Sequence, residues 1–148
     1  MTELTEEAIQ ARYPSAPACS CEECATMCRI PCWPTPSEAL AIIQAGYGDR
    51  LRMTARYEDL KHHDTTVYLL APRADSPETS SSPYCCILMR AGLCILHDLG
   101  LKPIEGRAAH HDRVKATSYT MNHDIRNDIL KLWDSDFGAA VIEYWERR

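Results

Sequence analysis

The sequence lacks long hydrophobic segments, a surplus of positive charge and the motifs of common enzyme families. Its apolar stretches, such as Val67–Ala71 and Ile87–Met89, are far shorter than the ~20 residues of a membrane-spanning helix, so no membrane association is expected. Sixteen basic against 21 acidic residues give a net charge of −5, which argues against a general polyanion binder. The patterns GxSxG, GxGxxG, HExxH and the P-loop are also absent.

The amino terminus does not resemble an export signal. Its first ten residues, MTELTEEAIQ, contain neither a basic region nor an apolar one, so we expect a cytoplasmic protein. At 148 residues, 45% hydrophobic and 25% charged, the composition is that of an ordinary globular chain. We therefore expect a single domain over residues 1–148.

Cysteine is the residue that the chain has in excess. It has eight, and they form two groups: Cys19, Cys21, Cys24, Cys28 and Cys32, then Cys85, Cys86 and Cys94. In a reducing cytoplasm, clustered thiols are more often metal ligands than disulfides or inert core residues. The sequence therefore predicts a cysteine-bound metal.

The spacing of the first group indicates how its thiols could converge. If residues 21–28 are helical, Cys21, Cys24 and Cys28 share one face. Pro31 would end such a helix, so that Cys32 could fold back as a further ligand. Cys19 is an accessory ligand or a bystander.

The second group can complete the site from elsewhere in the fold. Tetrahedral zinc needs four ligands from several directions, with sulfur at about 2.3 Å, and one short segment rarely supplies them all. Cys85 and Cys94 are the natural partners. In a strand Cys86 would point away from Cys85, which favours a buried small hydrophobe at that position. Such a metal would staple the domain, because its binding free energy becomes folding free energy.

The order of these motifs resembles the YkgJ-like cysteine-cluster family of zinc- or iron-chelating proteins. The opening cluster runs C-x2-C-x3-C-x3-C from Cys21, and the second block is CCIL, CILH and KPIEGR, ending at Arg107. The resemblance covers about residues 19–107, implies a metal-chelating fold and selects Cys85 rather than Cys86. The chain departs from the family at Gly106, where a cysteine is common, and in the opening spacing, which in the family is C-x2-C-x2-C-C.

The types of ligand are compatible with two kinds of metal centre. Four thiolates suit zinc or an iron–sulfur cluster, and zinc is favoured because it is commoner in small stable domains without other redox features. His97, three residues after Cys94, could reach the same metal or cap the following turn. An iron–sulfur protein with a redox, sensing or enzymatic role is the alternative.

We expect no catalytic site, because cysteine-rich metal sites are usually closed and structural. The favoured function is a metal-binding protein whose surface contacts a protein partner. Arg107, Arg113 and Lys115 form a modest basic group, and nucleic-acid binding through it is disfavoured by the net charge. One of His110 and His111 could approach the metal.

The expected fold is mostly α with minor β structure. Helical patterns cover residues 2–13, ended by Pro14, and residues 37–46, with Ser37 as N-cap and Gly46 as the stop. A strand is expected at Thr65–Leu70, and two irregular strands or a hairpin near Tyr84–Leu96. The segment of about 108–148 is predicted to hold two helices that meet near Asp134, with Trp133, Tyr144 and Trp145 in the core.

Overall fold

In the computed structural model, the described residues are 4–17, 21–22, 31–57, 66–74, 87–90, 93–108 and 124–148. Within these ranges the chain is mostly helical, with one two-stranded antiparallel sheet and one short hairpin. The predicted fold class is confirmed at this level.

Helix α1 spans Glu6–Arg12 and begins where the sequence provides a cap. Thr5 is the N-cap, and its hydroxyl accepts a hydrogen bond from the amide of Ala8 at 3.1 Å. The helix ends before Pro14, as predicted. Ile9 is its fully buried residue and anchors the helix in the core.

Helix α2 spans Pro36–Ile42 and begins with a capping box. Thr35 Oγ1 accepts from the amide of Glu38 at 3.3 Å, and Glu38 Oε1 accepts from the amide of Thr35 at 2.9 Å. Ser37 as N-cap was therefore wrong, because two reciprocal hydrogen bonds outweigh one hydroxyl cap. The helix continues into a π-helical turn, in which Gly46 adopts a positive φ of 97° and stops it, as predicted.

The sheet follows a 3-10 turn at Gly48–Arg50. Strand β1 covers Leu51–Tyr57 and strand β2 covers Thr66–Pro72, paired antiparallel from Leu51 opposite Pro72 to Tyr57 opposite Thr66. The second strand was predicted. The first strand was not predicted, because the described side chains of β1 show little alternation between buried and exposed positions.

Strand β3, Met89–Arg90, pairs antiparallel with strand β4, Leu93–Cys94, which agrees with the hairpin alternative for that region. Two short helices follow, α3 at Ile95–Asp98 and α4 at Ile104–Ala108. The amide of Ile95 donates to Leu88 O at 2.9 Å, so that α3 starts directly against the hairpin.

The carboxy-terminal part contains helix α5, residues 124–133, and helix α6, Asp136–Arg147. Ser135 caps α6 by accepting from the amide of Gly138 at 3.0 Å, so the predicted junction near Asp134 is confirmed. Trp133 is buried in the core, whereas Tyr144 is 49% exposed. The core position expected for Tyr144 was therefore wrong, because α6 turns Val141 and Gly138 inwards instead.

The core draws side chains from all six helices named above and from strands β1 and β2. Its fully buried side chains include Ile42, Leu69, Leu70, Ile125 and Ile129. Among the described helices, none combines the length and the apolarity needed to cross a membrane.

Candidate metal centre

The described ranges contain four of the predicted ligands. Cys21, Cys32 and Cys94 are half-buried, and His97 is exposed. The remaining candidates lie outside the described residues: Cys19, Cys24, Cys28, Cys85 and Cys86. Within the described part of the chain, no three histidine, cysteine, aspartate or glutamate side chains gather as a metal-binding group.

Cys32 lies in an irregular segment, Pro31–Pro34, whose backbone is held from two helices. The amide of Trp33 donates to Glu105 Oε1 of α4 at 3.1 Å. Arg126 Nη2 of α5 donates to Pro31 O at 3.1 Å. On the far side of Cys32, Trp133 Nε1 donates to Pro34 O at 2.8 Å. Backbone groups before and after the thiol are thus fixed by side chains distant in sequence.

The two charged residues that hold this segment also pair with each other. Arg126 Nε and Nη2 donate to the two carboxylate oxygens of Glu105, at 2.8 and 3.0 Å. The guanidinium lies 4.4 Å from the centre of the Trp33 ring, a cation–π distance. Burial alone would lower the pKa of Arg126, but the carboxylate of Glu105, with a smaller contribution from Cys32, raises it above its ordinary value.

Gly106 of α4 lies directly beside the sulfur of Cys32. A methyl group in place of its hydrogen would be 3.4 Å from Cys32 Sγ, and 3.2 and 3.3 Å from two carbons of the Lys102 side chain. The absence of a side chain at position 106 therefore lets the thiol and the Lys102 side chain approach α4 closely.

Cys94 ends strand β4 and is the N-cap residue of α3. Its backbone is extended there, and its side chain packs partly against the core. His97 is on the exposed side of the same short helix. The predicted three-residue spacing thus becomes one turn of α3, with Cys94 inward and His97 towards solvent.

Of the predicted basic group and histidine pair, Arg107 lies among the described residues. Arg107 makes contacts within the chain: Nε donates to Lys102 O at 2.9 Å, and Nη2 lies 3.5 Å from Glu38 Oε2. Arg113, Lys115, His110 and His111 lie outside the described residues, so the basic group is described at Arg107 alone.

A second polar cluster joins α1, α2 and α4. Glu6 accepts short hydrogen bonds from the hydroxyls of Thr35 and Ser37. Glu38 Oε2 accepts from the amide of Ile104 at 2.8 Å. Burial raises the pKa of Glu38 above its ordinary value, partly offset by these hydrogen bonds and reinforced by the nearby charge of Glu6.

An apolar groove of about 480 Å³ runs between the sheet and the α5–α6 junction. Met53 of β1 and Tyr68 of β2 line it and are 44% and 50% exposed. Ile142 of α6 lines the opposite wall, and Asp134 lies at the groove as a charged residue.

Sequence reasoning missed Glu105 and Arg126. They are 21 positions apart, and Arg126 reaches a carbonyl 95 positions away. Helical spacing links neither contact, so the sole available signal was the position of Glu105 inside the KPIEGR block.

Comparisons of the chain with protein-family models, curated proteins and solved structures give no match.

Proposed function

We propose that this chain is a small metal-binding protein whose cysteines hold a structural zinc ion. The ligands are drawn from Cys21, Cys24, Cys28 and Cys32 in the first group and Cys85 and Cys94 in the second. Thiolates are the soft ligands that zinc accepts in closed structural sites. By binding ligands from both groups, the metal would crosslink the amino-terminal cysteine cluster to the middle of the chain.

The observation that carries this proposal is the position of Cys32 against Gly106. These residues belong to the first and last blocks of the motif that resembles the YkgJ-like family, and their contact brings the two ends of the motif together. A sulfur in a half-buried position, with a cation nearby, is also a favourable place for a thiolate ligand. Thiolate donors thus suit zinc in their chemistry, and the contact of Cys32 with Gly106 supports a site beside α4.

Metal content and colour test the proposal directly. We expect protein purified without oxygen to contain one zinc ion per chain and to show no visible absorption. Iron with acid-labile sulfide and a broad visible band would instead show an iron–sulfur protein, making a redox, sensing or enzymatic role the leading function. Protein without either metal, after reconstitution with both has been attempted, would refute metal binding.

The second part of the proposal concerns a protein partner. Exposed apolar patches on monomeric domains mark interaction surfaces, and the groove beside Met53 and Tyr68 is such a patch. Because Asp134 borders it, we propose a partner segment with an apolar side chain next to a lysine or arginine. In this arrangement the metal maintains the fold and the groove makes the contact.

A further inference from the structure

We propose that Glu105 and Arg126 are positioning residues of the metal centre, which fix the Cys32 segment for coordination and place a positive charge beside its sulfur. The inference rests on the proposed metal-binding function and concerns how strongly that site holds its metal. Neither side chain is a metal ligand.

The geometry separates this pair from an ordinary surface salt bridge. The side chain of Glu105 is 8% exposed and that of Arg126 is 28% exposed. Each also hydrogen-bonds the backbone of the Cys32 segment: Glu105 accepts from Trp33 N, and Arg126 donates to Pro31 O. One residue before the thiol and one after it are therefore held by the same ion pair. Such a clamp restricts where Cys32 Sγ can lie before a metal arrives.

The charge of the pair adds a second effect. A zinc ion with four thiolates carries a net charge of −2, and a buried anionic centre is costly unless positive groups lie nearby. Arg126 donates to the carbonyl of Pro31, the residue directly before Cys32, and this contact places the guanidinium near the thiol. Outer-shell partners of metal ligands typically change metal affinity by about 10- to 100-fold when they are removed.

The test is a competition titration of the full-length chain with Zn²⁺ against a chromophoric chelator, using Arg126→Met. We expect its dissociation constant for Zn²⁺ to rise by about 10- to 100-fold. Bound Co²⁺ should also show a changed sulfur-to-metal charge-transfer band, because the Cys32 sulfur has moved. The matched control is Arg12→Met. Arg12 of α1 pairs at 2.6 Å with the buried Asp128, which lies in α5 like Arg126.

A double variant distinguishes positioning from stability. Arg126→Met alone leaves the Glu105 carboxylate buried without its cation, which destabilises the fold. Adding Glu105→Gln removes that charge and keeps an oxygen that can accept from Trp33 N. At zinc concentrations that are the same multiple of each variant's dissociation constant, the metal stabilises each variant equally. Under these conditions we expect the double variant to recover stability towards urea, while its Zn²⁺ affinity stays low.

Each outcome has a defined meaning. A double variant that recovers Zn²⁺ affinity together with stability would show a structural pair and overturn the inference, as would Arg126→Met binding Zn²⁺ like the parent chain. If Arg126→Met does not fold, the double variant and Arg126→Lys carry the same measurement. A parent chain that binds no metal would instead refute the proposed function itself.

Discussion

Gly106 and Cys32 are in contact across the fold: a methyl group on the glycine would lie 3.4 Å from the cysteine sulfur. The glycine belongs to helix α4 and the cysteine to the irregular segment before α2. Their contact brings the first cysteine group against the KPIEGR block, which follows the second cysteine group in the sequence. It therefore gives the metal hypothesis a position that can be probed by substitution.

Gly106→Cys is expected to add a ligand to the site. The new side chain starts within van der Waals distance of Cys32 Sγ, and its other neighbour is the flexible Lys102 side chain, which can move. We predict tighter Zn²⁺ binding, with the introduced thiol protected from alkylation by Zn²⁺. Mass spectrometry of alkylated peptides measures this. Ala11→Cys, on an exposed position of α1, is the control and should be alkylated equally with and without metal. Equal alkylation at position 106 would contradict a metal beside Cys32.

Cys94→Ser is expected to lose metal and stability together. Cys94 lies at the junction of β4 and α3. A serine hydroxyl at this position would be a far weaker zinc ligand than the thiolate of cysteine. Its Zn²⁺ affinity should fall by more than the about 10- to 100-fold typical of losing an outer-shell contact. Zinc content and the thermal midpoint are the measurements, and Cys86→Ser is the matched variant expected to keep both. Full zinc content in Cys94→Ser would remove Cys94 from the ligand set.

The elements that sequence predicted share a local cause. Thr5 and Pro14 bound α1, and Ser135 begins α6, because caps and proline act within a few residues of the chain. Strand β1 was not predicted because the neighbouring residues Arg52 and Met53 are both exposed. Its side chains therefore lack the alternation between solvent and core that is typical of a half-buried strand. Its strand state is set by pairing with β2, which is a tertiary effect.

The candidate site likewise has one part that local sequence signals predict and another that depends on tertiary packing. Cysteine type and spacing are local signals, and they selected Cys32 and Cys94 for the ligand set. The ion pair of Glu105 and Arg126 was not predictable, because its partners are brought together by the packing of α4 and α5 around the Cys32 segment. Charged residues of this kind look like ordinary surface residues until the fold shows them buried.

Glu38 is expected to make stability depend on pH. Burial raises the pKa of its carboxyl group above 4.5, so the folded state holds this proton more strongly than the unfolded state. Its contribution is therefore fully present below pH 4.5 and is lost as pH rises through the folded pKa. Urea unfolding from pH 4 to 7 should show the parent chain losing stability relative to Glu38→Gln over this window.

Two features make that comparison specific. Taking the difference between the parent and Glu38→Gln, at constant zinc, cancels the protonation of shared metal ligands. Glu38→Gln also loses one of two amide contacts, to Thr35 or Ile104, at about 1–3 kcal/mol, which offsets the curves without changing their slope. Glu7→Gln, at an exposed position of α1, is the control and should parallel the parent. Parallel curves for Glu38→Gln would contradict a raised pKa.

The groove predicts what kind of partner the domain binds. A random peptide library displayed on phage should, on the zinc-loaded chain, enrich peptides that carry an apolar side chain next to lysine or arginine. The apolar walls at Met53 and Tyr68 would contact the apolar side chain of the peptide, and Asp134 would pair with its lysine or arginine. The double substitution Met53→Ser and Tyr68→Ser should weaken binding of a chosen peptide by about tenfold or more, because exposed apolar anchors dominate such contacts. Leu99→Ser, 50% exposed and outside the groove lining, should bind it like the parent. Enriched peptides that bind all three chains equally would place the contact elsewhere on the surface and exclude the groove as the docking site.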